Sequence, residues 1–297
     1  MIYGLLGLLG AVTAGFGWVF FKDVYNNRKN LEKETNFYLN AGFGLVTDFF
    51  DTLGIGNFAP TTALFRAFKQ VKDRVLPGTL NVSHTIPVVL EAFLFLAVIK
   101  VEPVTLIAMI GASVVGAVLG AGFVSRLPEK TIQLVMGSAL LITGFFMIAG
   151  QLGWLDDLGT GEAIGLTGGK LIIGVAVNFL LGTLMTAGVG LYAPCMALVY
   201  MLGMTPKVAF PIMMGSCAFL MPPASAKFVK AGAYNKKAAI GITTGGIFGV
   251  LAAVYIVKSL PLKLLTWLVI GVIFITALTL LRAGFKASGG GAAHPPS

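Results

Sequence analysis

Four ionisable side chains interrupt the apolar first half of this sequence, at Asp48, Asp51, His84 and Glu91. An ionisable group inside a membrane is costly, so it usually lines a water-filled path or has a partner. Asp48 and Asp51 are three residues apart, share one face of a helix, and disfavour each other's ionisation. We predict that these four residues handle protons. Sodium binding by the aspartates and structural ties to the backbone or to basic side chains are the alternatives.

A second set of candidates lies in a motif that occurs twice. Residues 52–64 have the sequence TLGIGNFAPTTAL, and residues 186–198, which follow at an offset of 134, have the sequence TAGVGLYAPCMAL. The same offset relates Gly111 to Gly245, so the chain is predicted to be a duplicated unit. In each motif a Gly-x-Gly predicts a break in a helix, and the Ala-Pro after it predicts the start of a new one. The free amides at such a start favour an anion.

The predicted substrate site consists of glycines, hydroxyl and amide donors, and aromatic walls at the two breaks. Its residues are Thr52, Gly54, Gly56, Asn57, Phe58, Thr61, Thr186, Gly188, Gly190, Tyr192 and Cys195. Cys195 occupies the position of Thr61 in the other copy, which indicates a small polar lining group, with a sulfur relay or simple packing as alternatives. For the glycines, the alternative is that they only allow close helix packing.

Composition predicts a membrane protein. The chain is 57% apolar and 11% charged with a mean hydropathy of +0.90, more apolar surface than a water-soluble globule of 297 residues can bury. Seven apolar stretches are long enough to cross a bilayer. They are 1–21, 79–99, 104–124, 131–149, 208–226, 238–257 and 264–282. Two longer apolar regions, 36–66 and 170–202, contain the motifs and are predicted to be broken helical hairpins.

The basic residues predict the orientation of these segments. Most Lys and Arg residues lie in five clusters, at 22–33, 66–74, 126–130, 227–237 and 282–286. The positive-inside rule places all five in the cytoplasm, with the N-terminus outside and the C-terminus inside. The acidic loop with Asp156 and Asp157 then lies outside. Each hairpin must return to its own side. Each copy then crosses the bilayer only with its three full spans, which is an odd number, so the second copy is inverted.

The predicted fold is therefore an all-α polytopic membrane protein with an inverted-topology tandem repeat. Each half is a broken or re-entrant helical hairpin plus three transmembrane helices, and one extra helix precedes them. The predicted divisions are an N-terminal helix and basic linker (1–35), the first repeat (36–150), the external acidic loop (151–169), the second repeat (170–284) and a disordered tail (285–297).

This layout resembles the sulfite exporter TauE/SafE family of membrane permeases over residues 36–284. The resemblance rests on the repeat layout, on 54–56 (Gly-Ile-Gly) and 188–190 (Gly-Val-Gly), and on the basic loop and proline-containing span that follow each. Many members have a third glycine where this chain has Asn57 and Leu191. The resemblance implies transport of sulfite, organosulfonates or related small organic acids, driven by an ion or proton gradient.

Other function classes lack support in the sequence. There is no Walker loop, no catalytic triad spacing and no metal-ligand cluster, since His84 and His294 are the only histidines, so we expect neither an enzyme nor a cofactor. The net charge of +9 is explained by loops beside anionic lipid, without nucleic acid. The predicted partners are a small anion, the bilayer of the cell membrane, and H⁺ or Na⁺ as coupling ion. An anion channel and a non-transporting membrane subunit of an enzyme or sensor are the rival functions.

Overall fold

The computed structural model describes residues 2–95, 100–154, 162–256 and 262–289. Within these ranges the chain forms eleven α-helices and one short 3-10 helix at Asp73–Val75. The α-helices are α1 (Ile2–Asn26), α2 (Phe37–Thr52), α3 (Phe58–Ala67), α4 (Leu76–Phe95), α5 (Pro103–Val124), α6 (Glu129–Gln151), α7 (Gly168–Thr186), α8 (Tyr192–Met201), α9 (Pro206–Lys230), α10 (Lys236–Ile256) and α11 (Leu262–Gly289). The predicted acidic residues Asp156 and Asp157, and residues 290–297 of the predicted disordered tail, lie outside the described residues.

The chain is a multi-pass membrane protein. Six of the described helices, α1, α5, α6, α7, α9 and α10, are long and apolar enough to cross a bilayer. The predicted span at 79–99 corresponds to α4, which is not among the six because Asn81, His84 and Glu91 lower its hydropathy. The predicted all-helical fold is confirmed for the described residues. Helix α7 differs from the prediction, because it is a full-length apolar helix within a region predicted only as a hairpin.

Both motif regions form a long helix followed by a short one. Helix α2 ends at Thr52 and α3 begins at Phe58, while α7 ends at Thr186 and α8 begins at Tyr192. These boundaries coincide under the offset of 134. The second helix of each pair has 10 residues, about 15 Å of rise, so it is too short to cross a bilayer alone.

The two ends of the first hairpin meet at one face of the helix bundle. The Thr35 hydroxyl donates to the carbonyl of Gln70 (3.0 Å), and the backbone amide of Asn36 donates to the Gln70 side chain (2.8 Å). Asn235 joins them from the start of α10, donating to the Thr35 hydroxyl (2.8 Å). We call this the basic face. Its loops are 27–36, 68–75, 125–128 and 231–235.

The two ends of the second hairpin meet at the other end of the bundle. The Lys170 ammonium, near the start of α7, donates to the carbonyl of Leu202 after α8 (3.1 Å). Ala163 lies there as well, because its carbonyl accepts from the amide of Thr205 (3.0 Å). These contacts define the opposite face, where α4 ends and α5 begins.

Small residues bring the helices close together. Helix α2 packs on α10, α7 on α5, α4 on α9, and α6 on α11. A Cβ added at Gly44 of α2 would collide with the carbonyl of Ile242, and one at Gly245 of α10 with the carbonyl of Ala41. Gly182 of α7 is packed against the α5 backbone in the same way. Such close contacts replace the hydrophobic driving force that is absent between helices in lipid.

Helix α1 is an addition outside this paired arrangement. It packs on α9 and, less extensively, on α4. The Tyr234 hydroxyl, in the loop before α10, donates to the Asp23 carboxylate at the end of α1 (2.6 Å). The Glu32 carboxylate accepts from the backbone amides of Lys236 and Lys237 and so satisfies the N-terminus of α10.

Candidate functional site

Glycines in a left-handed conformation interrupt the helix in each hairpin. The φ angles of Gly54, Gly56 and Gly188 are 83°, 91° and 94°, a region that side chains with a Cβ rarely adopt. Gly190 does not have a positive φ, and a Cβ there would meet open space. Neither backbone conformation nor a steric clash therefore requires glycine at position 190, which instead leaves space open beside the break.

The two breaks meet at a small cavity. Its volume is about 20 Å³, close to the space that one water molecule occupies. The lining residues are Asp51, Gly56, Asn57, Phe58, Val88, Met185, Gly190, Leu191, Tyr192 and Cys217. The second glycine of each motif thus lines the cavity, whereas the first packs away from it, Gly54 against Phe210 and Gly188 against Met136.

Asn57 holds two carboxyl groups together beside this cavity. Its side-chain amide donates to Asp48 Oδ1 (2.8 Å) and to Asp51 Oδ2 (2.9 Å), and all three side chains are buried. Asn57 lies in the break, whereas both aspartates lie on α2. One amide group with two hydrogens therefore links the break to the preceding helix.

His84 connects α4 to both arms of the first hairpin. Its Nδ1 lies 2.7 Å from Asp48 Oδ1, and its Nε2 lies 3.1 Å from the Thr61 hydroxyl on α3. Both His84 and Asp48 are fully buried. Asp48 Oδ2 is also buried and has no hydrogen-bond partner among the described residues.

Glu91 joins the first break to the second. Its Oε1 accepts from the Thr52 hydroxyl at the end of α2 (2.9 Å), and its Oε2 accepts from the Tyr192 hydroxyl at the start of α8 (3.3 Å). Asp51 and Tyr192 line the same cavity. The glutamate is fully buried, so one side chain on α4 contacts both hairpins.

The helix that bears His84 and Glu91 is irregular between them. Pro87 has no N–H, so the carbonyl of Ser83 lacks its usual helical donor. The Thr243 hydroxyl of α10 supplies that donor at 2.7 Å. The irregular turn of α4 is thereby attached to a helix of the second half.

The ionisable side chains in this region are mainly carboxyl groups, and they have few ion-pair partners. Asp48, Asp51 and Glu91 are at most 2% exposed, and within the described ranges the only ion-pair partner of any of them is His84. The free amides at the start of α3 and α8 contribute partial positive charge. When its carboxyl groups are ionised, the cluster therefore carries net negative charge.

The structure brings together most, but not all, of the residues predicted from sequence. The four predicted proton residues form one hydrogen-bonded cluster with Thr52, Asn57, Thr61 and Tyr192. Thr186 lies apart, because its hydroxyl donates to the carbonyl of Thr183 in its own helix (2.6 Å). Cys195 is buried on α8 and does not line the cavity.

Four lining residues were missed by the prediction of the site. Val88, Met185 and Leu191 are apolar and look like ordinary membrane-helix residues in sequence. Cys217, in contrast, stands at the offset of 134 from the hydroxyl residue Ser83, which was an available signal.

A much larger cavity opens on the basic face. Its volume is about 1040 Å³, and α3 lines it with Ala63, Arg66 and Ala67. Arg66 forms an ion pair with Asp73, whose carboxylate also accepts from Gln133 of α6 (2.9 Å). Because α3 begins at the break, the short arm of the first hairpin runs from the acidic cluster to this cavity.

No protein-family model, no curated protein and no solved structure matches this chain.

Proposed function

We propose that this protein is a secondary transporter that moves small anions across the cell membrane by alternating access between two related halves. The observation that supports this most is the meeting of two broken hairpins, one from each face of the bundle, at a small cavity beside a buried cluster of carboxyl groups. Discontinuous helices that meet near the middle of the membrane are a common way to build a site that is accessible from either side.

The helix pairing supports an inverted repeat. Under the offset of 134, α2 corresponds to α7, α5 to α10, α4 to α9 and α6 to α11. The contact between α2 and α10 then has its counterpart in the contact between α7 and α5. The contacts α4–α9 and α6–α11 each join a helix to its own counterpart in the other copy. This pattern, in which the two copies exchange places, is expected when they are related by a two-fold axis. Because their hairpins open to different faces, we propose that the axis lies in the membrane plane.

The basic face is proposed to be cytoplasmic. The loops of this face and the helix ends beside them contain the basic clusters around 28, 69, 126 and 236. The positive-inside rule then places the N-terminus of α1 outside and the C-terminal end of α11 inside.

The proposed substrate class is sulfur-containing anions such as sulfite and organosulfonates. This part of the proposal rests on the resemblance to the TauE/SafE permeases, and we propose that the chain belongs to that family. The free amides at the starts of α3 and α8 are suitable donors for a small oxyanion. A carrier is favoured over an open channel, because the space between the breaks is about 20 Å³ while the cavity on the basic face is about 1040 Å³.

Binding to the purified protein tests this function. Thermal stability would be measured with sulfite, thiosulfate, sulfonates, sulfate and carboxylates, each with sodium or potassium as the cation and at two pH values. We expect saturable stabilisation by one sulfur anion. Gly190→Leu should abolish it by filling the cavity, and Gly111→Leu, at a position with open space on α5, should not.

The other outcomes identify the rival functions. If thermal stability depended on which cation is present and not on the anion, the acidic cluster would be a cation site. This result would contradict anion transport. Flux in liposomes that rises linearly with gradient, without saturation or exchange, would indicate a channel. Activity that requires a soluble partner would indicate a subunit of an enzyme or sensor.

A further inference from the structure

We propose that the coupling ion is the proton and that the carboxyl pair Asp51–Glu91 holds it, so that the anion enters the site together with H⁺. This inference rests on the proposed function and specifies its energy source. Proton binding forms one O–H bond, neutralises one carboxylate of the cluster and breaks no covalent bond.

The hydrogen atoms around Thr52 support a protonated Glu91. The single hydroxyl hydrogen of Thr52 has two acceptors, the carbonyl of Asp48 at 2.8 Å and Glu91 Oε1 at 2.9 Å. It can donate to only one of them. If Oε1 of Glu91 bears a proton, that proton is donated to Thr52, and Thr52 donates to the Asp48 carbonyl. Both short contacts are then hydrogen bonds.

Asp51 faces the same site as Glu91. Both carboxyl groups are buried, Asp51 lines the cavity beside Tyr192, and Tyr192 donates to Glu91. Buried carboxyl groups at one site do not ionise together, because each disfavours the negative charge of the other. The contacts of Thr52 place the proton on Glu91 and leave Asp51 ionised.

The unpartnered oxygen of Asp48 indicates that the cluster contains more acceptors than donors. Asp48 Oδ1 accepts from Asn57 and contacts His84, whereas Oδ2 is buried beside the backbone of Gly246 without a partner. A buried carboxylate oxygen without a donor carries a large desolvation cost. Proton binding reduces this excess, because it converts one acceptor of the cluster into a donor.

The position of Glu91 explains how protonation would affect both halves. As a carboxylate it accepts from Thr52 of the first hairpin and from Tyr192 of the second. As a carboxylic acid it donates to Thr52 and still accepts from Tyr192, so the hydrogen bond to the first hairpin reverses and the one to the second is made to a neutral acceptor. The titratable groups that face the pair are Asp48, His84, Tyr192 and Cys217.

Infrared spectroscopy of the purified protein in detergent tests this inference without any substrate. At neutral pH we expect a carbonyl stretching band of a protonated carboxyl group, and its loss in Glu91→Gln. Asp51→Asn is the second variant and should also remove or shift the band. Glu162→Gln, at an exposed glutamate on the opposite face, should leave it unchanged. A neutral-pH spectrum without this band, or a band unaffected by both site variants, would overturn the inference.

Proteoliposomes with radiolabelled sulfite test the coupling. An acidic exterior should drive accumulation together with proton uptake, and a sodium gradient at equal pH should not. Glu91→Gln should reduce pH-driven accumulation at least ten-fold, whereas Glu162→Gln should leave it unchanged. Unchanged pH-driven accumulation in the Glu91 variant, or accumulation only with sodium, would refute the proton assignment. A normal carboxyl band with no sulfite exchange would instead refute the proposed sulfite transport alone.

Discussion

Replacing Asn57 by alanine should destabilise the protein more than the loss of an ordinary buried amide. The two amide hydrogens of Asn57 bind two carboxyl groups, at 2.8 Å to Asp48 and 2.9 Å to Asp51. Asn178 is a matched control within the second half. Its amide hydrogens bind neutral acceptors, the carbonyl of Met109 (2.7 Å) and the hydroxyl of Ser216 (2.9 Å).

The expected magnitudes follow from the charge of the acceptors. Hydrogen bonds to charged groups contribute about 1.5–3 kcal/mol each and neutral ones about 0.5–1.5 kcal/mol. Asn57→Ala should therefore cost about 3–6 kcal/mol and Asn178→Ala about 1–3 kcal/mol. At about 2 °C per kcal/mol, the Asn57 variant should unfold at least about 6 °C below the parent protein.

The assay is thermal unfolding in detergent, followed by a thiol-reactive dye. Cys195 and Cys217 are free and buried, so they report unfolding. Acid neutralises carboxylates, so the cost of Asn57→Ala should decrease as the pH falls, while that of Asn178→Ala should not change. Equal costs for the two variants at neutral pH, or a cost for Asn57→Ala that is independent of pH, would refute the assignment of ionised acceptors.

Three further predictions concern helix packing and the hydrogen bonds of the helix backbone. The two repeat-related glycines should differ in their effect on Tm. Gly245→Ala should lower Tm, because overpacking costs about 1–3 kcal/mol. Gly111→Ala, at a position with open space, should leave Tm unchanged or raise it. Thr243→Val should cost about 1–3 kcal/mol, because the Ser83 carbonyl loses its donor, and Thr243→Ser should restore most of the Tm. At the start of α5, hydrogen bonds from backbone amides lower the pKa of Glu102. The stability that the ionised Glu102 gives to the folded protein should therefore be lost as the pH falls below the ordinary pKa of glutamate. The Tm of Glu102→Gln should lack this dependence on acid.

Properties of the chain that depend on neighbouring residues were predictable from the sequence. The apolar composition required a bilayer, and the glycines of 54–56 and 188–190 placed the helix breaks where they occur. Both signals are local, because desolvation of the backbone and the conformational freedom of glycine act within a few residues. The duplication was also readable, since it is a property of the sequence itself.

The tertiary structure decided which of the candidate residues act together. Thr52 and Thr186 occupy equivalent positions, yet Thr52 contacts Glu91 while Thr186 bonds within its own helix. Gly111 and Gly245 are likewise equivalent, yet only Gly245 lies against another backbone. Glu91 meets Tyr192 across 101 positions of sequence. These differences arise from packing between distant segments, and each depends on which helix lies opposite, which no local pattern specifies.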